Sequence, residues 1–319
     1  MKLGMTSLPL ELCSNYPLIA PCEHIAGNEK FARKAFALQQ AHVTADGRSL
    51  VDVTLDLEDG APIGQEEQLR QLFVSLLHDT ENCFPQTGVR VHPVASPEFE
   101  RDLEVLLLGA AEKIAYITLP KVRTRRDVEW AHGLIQHFAG KRSLGRRIPL
   151  HLLIETPESM RELHTLAALP CVETFDFGLM DYISHAAGAI PADCMRSPGQ
   201  FEHPLMAATK SAIALAALGA NKIPSHNVTV DVRDPERAYH DSFTARHKFG
   251  FLRMWSIHPS QIEPILRGMT PSKDELQEAQ DILSRAQQAA WGPIEHNGRL
   301  HDRASYRYYA GLASRSATL

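Results

Sequence analysis

The chain has 319 residues, 44% hydrophobic and 22% charged, an ordinary globular composition with room for one large domain or two smaller ones. Its formal net charge of −5 and pI of about 6.3 exclude the basic excess of a nucleic-acid-binding protein. Cys13, Cys22, Cys83, Cys171 and Cys194 are odd in number, scattered and without a C-x-x-C pair, which predicts reduced thiols in a cytoplasmic protein. The N-terminal "MKLGMTSLPLELCSNYP" lacks a signal-peptide core, and no run approaches the roughly 18 apolar residues of a membrane helix, so no membrane partner is expected.

Strand-like apolar runs alternate with helix-period segments along the chain. "PLIAPCEHI" (17–25) precedes a helix opened by Asn28, with Phe31, Ala35 and Leu38 expected on one face. "LVDVTLDLED" (50–59) precedes a helix around 64–78, "GVRVHP" (88–93) one at 97–109, and "IAYITLPKV" (114–122) one around 124–139. "IPLHLLIE" (148–155) runs into Thr156-Pro157, an N-cap followed by proline at the first helical position. "VETFDFGLMD" (172–181) is followed, after a loop, by a long helix at 203–218 closed by Gly219. A weaker strand lies within 221–232, before the helix of "PERAYHDSFTARHKFG", and "FLRMWSIHP" (251–259) is the eighth. Beyond it come an amphipathic helix, "TPSKDELQEAQDILSRAQQAA", a polar link, "WGPIEHNGRLHD", and a last helix, "RASYRYYAGLAS", with Tyr306, Tyr308 and Tyr309 expected at its surface.

Eight strands alternating with helices predict a (β/α)₈ TIM barrel over residues 1–265, with a C-terminal helical extension over 266–319. A doubly wound open sheet is the rival, but its Gly-rich loop after the first strand is missing. Barrel enzymes carry their chemistry at the C-terminal ends of the strands. Here those ends hold Glu58 and Asp59, Arg90 and His92, Lys121, Glu155, Asp181 and His258. Alternation puts Asp52, Thr54, Asp56 and Glu58 on the face opposite Val51, Val53, Leu55 and Leu57, and Arg90 with His92 opposite Val89 and Val91. With the apolar faces against the helices, Asp56, Glu58 and Arg90 point inward, either as a site or as an internal ion-pair network. Glu155 and Asp181 end neighbouring strands, which lie about 4.8 Å apart. Two converging carboxylates there need either a hard divalent cation or a nearby Arg or Lys.

The stretches "VTLDLEDGAP", "VRVHP", "ITLPKV", "LLIETPES", "FDFGLMDY" and "IHPSQIEPI", in that order, resemble the citrate lyase beta-subunit-like (CitE-like) family of the HpcH/HpaI aldolase superfamily, near the malyl- and citramalyl-CoA lyases. The resemblance implies a (β/α)₈ barrel that binds Mg²⁺ (or Mn²⁺) through the Glu155 of "IET" and the Asp181 of "FG-x-x-D". It implies a catalytic Arg90, and a substrate lined by Glu58, Asp59, Lys121 and Met180. "NGRLHD" is similar to the segment that malyl- and citramalyl-CoA lyases insert into a neighbouring subunit's site, which gives Asp302 a catalytic role and the protein a homo-oligomeric state, a trimer or a hexamer of trimers. Asp302 also reads as an N-cap for the last helix. His258 reads as structural, and Lys121 as a substrate contact or a support behind one. "YPLIAPCEHIAGN" lacks the Arg and Pro-Gly pair with which members commonly begin, and "RMWSIHPSQ" replaces their Gly-Lys; the first of these regions helps to bind coenzyme A or a carrier arm.

The implied function is a metal-dependent carbon–carbon lyase that makes or breaks a malyl-, citramalyl- or citryl-type CoA thioester, with a 2-oxo acid and an acyl-CoA as the other side of the reaction. The alternatives are a thioesterase on a malyl-like CoA, a free-acid aldolase, or a non-catalytic barrel that serves as a binding subunit.

Overall fold

Eight parallel strands close on themselves in chain order in the computed structural model, which describes Pro9 and residues 16–316. β1 (Cys22–Ala26) leads to α1 (Glu29–Ala41), β2 (Val51–Asp56) to α2 (Glu66–His78), β3 (Thr87–Arg90) to α3 (Phe99–Ala110) and β4 (Ile117–Leu119) to α4 (Arg125–Lys141). β5 (Leu150–Ile154) is followed by the short α5 (Pro157–Arg161) and α6 (Leu163–Ala167). β6 (Val172–Phe177) is followed by α7 (Leu179–His185), α8 (Gly199–Glu202) and the long α9 (Pro204–Gly219). β7 (Ile223–His226) leads to α10 (Pro235–Phe249), and β8 (Arg253–Ser256) to α11 (Ile262–Met269). β8 pairs with β1, Met254 opposite Cys22, and this closure rules out the open sheet.

Local chemistry starts the helices where the sequence indicates. The Asn28 side chain accepts from the Phe31 N–H, and Thr124 and Thr156 form capping boxes with Asp127 and Ser159. The Thr156 hydroxyl also donates to the Val122 carbonyl, which ties the end of β5 to the end of β4. The α1 face differs from expectation. Ala32, Ala35, Phe36 and Gln39 are buried, while Phe31 is 37% exposed. The Gln39 amide donates to the Val51 carbonyl, and this contact sets the helix's rotation.

The core lies between helices and barrel, where Val53, Leu55, Val89, Leu152, Phe175 and Phe177 meet the helices' apolar stripes. The barrel's inside is polar. Arg253, fully buried, reaches Glu23 at 2.8 Å and Asp52 at 2.7 Å. Tyr116 stacks on His151 with ring centroids 3.9 Å apart, and its hydroxyl lies 2.7 Å from that of Thr54. Buried charges must be paired in this way, because an isolated one costs far more than its packing returns.

The chain forms two compact units. One, Ile19–His42 with Ser49–Met269, is the barrel. The other joins Val43–Arg48 to the chain from Thr270 onward and to residues before Ile19. Its α12 (Lys273–Gln288) packs on α13 (Arg303–Ser316) around Ile282, Leu283, Ala286 and Ala310. The expected link contains a hairpin, β9 (Ile294–His296) and β10 (Arg299–His301), turned by Asn297-Gly298 with both φ positive, as a two-residue turn requires. Tyr306 corrects the expectation of surface tyrosines. It is fully buried, and its hydroxyl donates to the carbonyls of Gly292 (2.7 Å) and His301 (3.1 Å). Tyr309 is half-buried and Tyr308 stays 61% exposed.

Among the described residues Cys22, Cys83, Cys171 and Cys194 are unpaired; Cys13 and most of the N-terminal stretch read for a signal peptide lie outside them. No described helix is long and apolar enough to cross a membrane.

Candidate active site

A cavity of about 320 Å³ opens at the C-terminal mouth of the barrel. Its polar wall begins on β2. Asp56 is the last strand residue and faces inward. Its carboxylate accepts from the Glu58 N–H (3.0 Å) and the Gly60 N–H (2.9 Å), so it shapes the turn that carries Glu58 and Asp59. A β-carbon on Gly60 would fall 2.4 Å from Asp56 Oδ2, so the tight turn needs glycine there. Arg90, from β3, grips the same carboxylate with a two-point fork, Nε to Oδ1 and Nη2 to Oδ2, both at 2.6 Å. Its third nitrogen, Nη1, lies 3.2 Å from Glu58 Oε2. Burial alone would push the Asp56 carboxyl up, but the Arg90 guanidinium holds it below the usual range.

Lys121 continues the network from the end of β4. Its Nζ donates to Glu58, to Asp59 at 3.1 Å, and lies 3.7 Å from Asp181. Burial opposes its charge, and Glu58 and Asp59 more than restore it, so its pKa stands above the ordinary lysine value. Lys121 has a left-handed φ of 51°, unusual for a residue with a side chain. Its N–H donates to Glu155 Oε1 at 2.6 Å.

Glu155 follows β5 directly and is 2% exposed. Burial, and then the Asp181 carboxylate, push its carboxyl up to about 8. Gly178, between β6 and α7, makes room for it, since a β-carbon there would lie 2.1 Å from Glu155 Oε2. Asp181 comes from the first turn of α7 rather than from the strand tip, and lines the same cavity. The donor set is oxygen alone, from two carboxylates, and the Asp181 charge adds to the cost of ionising Glu155. That chemistry fits Mg²⁺, which takes one or two protein carboxylates and leaves its other positions to water and substrate. A second group of possible ligands, Glu23, His151 and Asp176, lies deeper in the barrel. The Arg253 guanidinium already supplies positive charge to Glu23 there, so the mouth pair is the better cation site.

Of the residues singled out from the sequence, Asp59, Arg90, Glu155, Met180 and Asp181 line the cavity, and Glu58 and Lys121 contact them. His92 does not join them. β3 ends at Arg90, so alternation stops there. The His92 ring and N–H instead both meet Asp102 of α3, at 2.7 and 2.8 Å. His258 caps the turn at Pro259–Gln261, a structural task as expected. Asp302 caps α13 in the other unit, Oδ1 accepting from the N–H of Ala304 at 2.9 Å. The cavity's apolar side, Ile25, Leu153, Val228 and Trp255, was not singled out. The signal was present, because Ile25, Leu153 and Trp255 stand two residues beyond the inward Glu23, His151 and Arg253 and so share their face.

A family model described as HpcH/HpaI aldolase/citrate lyase matches residues 34–259. The L-malyl-CoA/beta-methylmalyl-CoA lyase of Rhodobacter capsulatus is 25% identical over 269 residues, spanning 80% of this chain and 84% of the relative. The mitochondrial citramalyl-CoA lyase of Homo sapiens is 26% identical over 262 residues, 78% of this chain and 73% of the relative. A crystal structure of a citrate lyase from Burkholderia xenovorans LB400 superposes with a TM-score of 0.86 at 41% identity, covering 95% of this chain and 93% of that one. CitE from Mycobacterium tuberculosis, crystallised with magnesium, acetoacetate and coenzyme A, shares the fold at a TM-score of 0.69 and 23% identity, over 95% of this chain and 99% of that one.

Proposed function

The chain belongs to the HpcH/HpaI aldolase/citrate lyase family, and from that premise we propose that it is a Mg²⁺-dependent carbon–carbon lyase acting on a 2-hydroxy-acid unit carried as a CoA thioester. The products of cleavage are a 2-oxo acid and an acyl-CoA. The observation that carries this reading is the pairing of Glu155 with Asp181 on a cavity that also holds the fixed Arg90.

Glu155 and Asp181 would hold Mg²⁺, with Mn²⁺ as a substitute, and the ion would supply Lewis-acid polarisation of the 2-hydroxy or 2-oxo oxygen. Arg90, locked by Asp56, turns its remaining N–H groups to the substrate's carboxylate or developing oxyanion without having to reorganise. Lys121 keeps Glu58 and Asp59 compensated while its N–H fixes one oxygen of Glu155. In cleavage the hydroxyl proton is lost to water, the C–C bond breaks, and its electron pair passes to the thioester's α-carbon. That carbon then needs a proton. Asp302 of a neighbouring copy in a trimer or hexamer is the residue we assign to it.

An adjoining groove of about 700 Å³ supports a thioester arm despite the missing Arg and Pro-Gly pair. It shares Phe31 with the cavity and is lined by Lys30 and Lys34 of α1, whose charges suit a diphosphate. The unpaired cysteines support a reducing, cytoplasmic setting.

The test is product analysis. Protein with Mg²⁺, acetyl-CoA and a 2-oxo acid is expected to form a 2-hydroxyacyl-CoA, and chelation with EDTA to stop it. Release of free CoA with no new carbon–carbon bond would instead favour the thioesterase.

A further inference from the structure

Ile25 of β1 and Trp255 of β8, on the two neighbouring strands that close the barrel, meet Leu153 of the distant β5 and, with Val228, form a small apolar cluster of their own. They are 9%, 1% and 6% exposed and line the cavity. The layer is unusual for its surroundings. On the same inward faces, one step deeper, stand Glu23, His151 and Arg253, and one step toward the mouth on β5 stands Glu155. The cavity that carries Glu155 and Asp181 therefore also has an apolar floor, set among inward polar side chains. The one polar atom on this floor is spent. Trp255 Nε1 donates to Asp176 Oδ1 at 3.3 Å, on β6 opposite Leu153. An incoming hydroxyl or carboxylate would lose its water there and find no donor from these side chains.

Resting on the lyase reading above, we infer that the 2-oxo acid taken by this site bears an alkyl substituent, as in pyruvate or a longer 2-oxo alkanoate, and that Leu153 with Ile25 and Trp255 selects it. Leu153 and Glu155 are alternate residues of one strand, so their α-carbons stand about 6.6 Å apart. That separation suits a short acid anchored at the mouth with its carbon chain turned down onto the floor. Glyoxylate, which has hydrogen in place of that chain, leaves the floor unfilled. One methyl or methylene in an apolar pocket is typically worth about 10- to 200-fold in discrimination.

Calorimetry with Mg²⁺ present tests this on the full-length protein with glyoxylate, pyruvate, 2-oxobutyrate and oxaloacetate, apart from turnover. Pyruvate or 2-oxobutyrate is expected to bind at least about tenfold more tightly than glyoxylate or oxaloacetate. Leu153→Ala is expected to move the optimum to a longer chain and Leu153→Met to leave it near wild type, with Mg²⁺ binding retained in both. Glyoxylate or oxaloacetate binding as tightly as pyruvate to wild-type protein, or an order unchanged by Leu153→Ala, overturns the inference and leaves the lyase reading standing. No binding of any 2-oxo acid to Mg²⁺-loaded protein overturns both.

Discussion

Arg90 and Asp56 are joined by two parallel hydrogen bonds of 2.6 Å, inside the barrel and beside the cavity. The fork that could grip a substrate carboxylate is already filled by a protein carboxylate. Arg90 is thus held in place before any substrate arrives. Removing Asp56 would leave the buried guanidinium with Glu58 as its remaining ion-pair partner, and breaking one side of such a pair typically costs about 3–5 kcal/mol. Asp56→Asn is therefore expected to lower the midpoint of chemical denaturation. Arg90→Lys, which keeps the charge and loses the planar fork, is expected to lower turnover by about 10²–10³. Near-normal turnover in a folded Arg90→Lys protein would reassign Arg90 to the barrel's internal ion pairs.

The proposed metal pair, Glu155 and Asp181, predicts a stability linkage. A cation that binds only the folded chain raises its stability, by about 2.7 kcal/mol at a hundred times its dissociation constant. Wild-type protein is expected to melt at a higher temperature when Mg²⁺ is added, and Glu155→Gln and Asp181→Asn to lose most of that shift. An equal shift in both variants would move the cation elsewhere.

Gly178 offers a test that leaves every carboxylate in place. Gly178→Ala puts a β-carbon within 2.1 Å of the present position of Glu155 Oε2, so the carboxylate or the backbone must move. The expected outcome is a folded protein with weakened Mg²⁺ affinity by calorimetry. Unchanged affinity would mean that Glu155 has room to relax without cost.

His92 and Asp102 give the barrel a pH dependence away from the site. The hydrogen bond to Asp102 raises the His92 pKa above its ordinary value. With the folded value above the unfolded one, this stabilisation is complete below about pH 6.5 and fades as pH rises through the folded value. The melting-temperature difference between wild type and His92→Gln is expected to be largest in mild acid and to shrink on the alkaline side. A difference independent of pH between 5 and about 9 would refute a charged His92.

Asp302 separates a neighbour's role from a purely local one. Its cap on α13 accounts for its position without any catalysis. Mixed assemblies of Asp302→Asn and Glu155→Gln chains, each inactive alone, are expected to regain partial activity. Assemblies that form normally and stay inactive would confine Asp302 to capping its helix.

Much of this protein was readable in one dimension. Strand and helix alternate because an inward-facing period of two and an amphipathic period of 3.6 cannot be confused over a whole element, and Asn28, Thr124 and Thr156 mark helix starts through hydrogen bonds that span only a few residues. The inward parity of Asp56 and Arg90 followed from the same alternation. What the sequence left open depended on partners distant in the chain. His92 turned outward because Asp102 stood on α3, Tyr306 went inside because the carbonyls of Gly292 and His301 were waiting, and α1 rotated to bring Gln39 to Val51. Lys121 adopts a left-handed backbone and aims its N–H at Glu155, 34 residues on. No local pattern announces such a contact, because it exists only once β4 and β5 lie side by side.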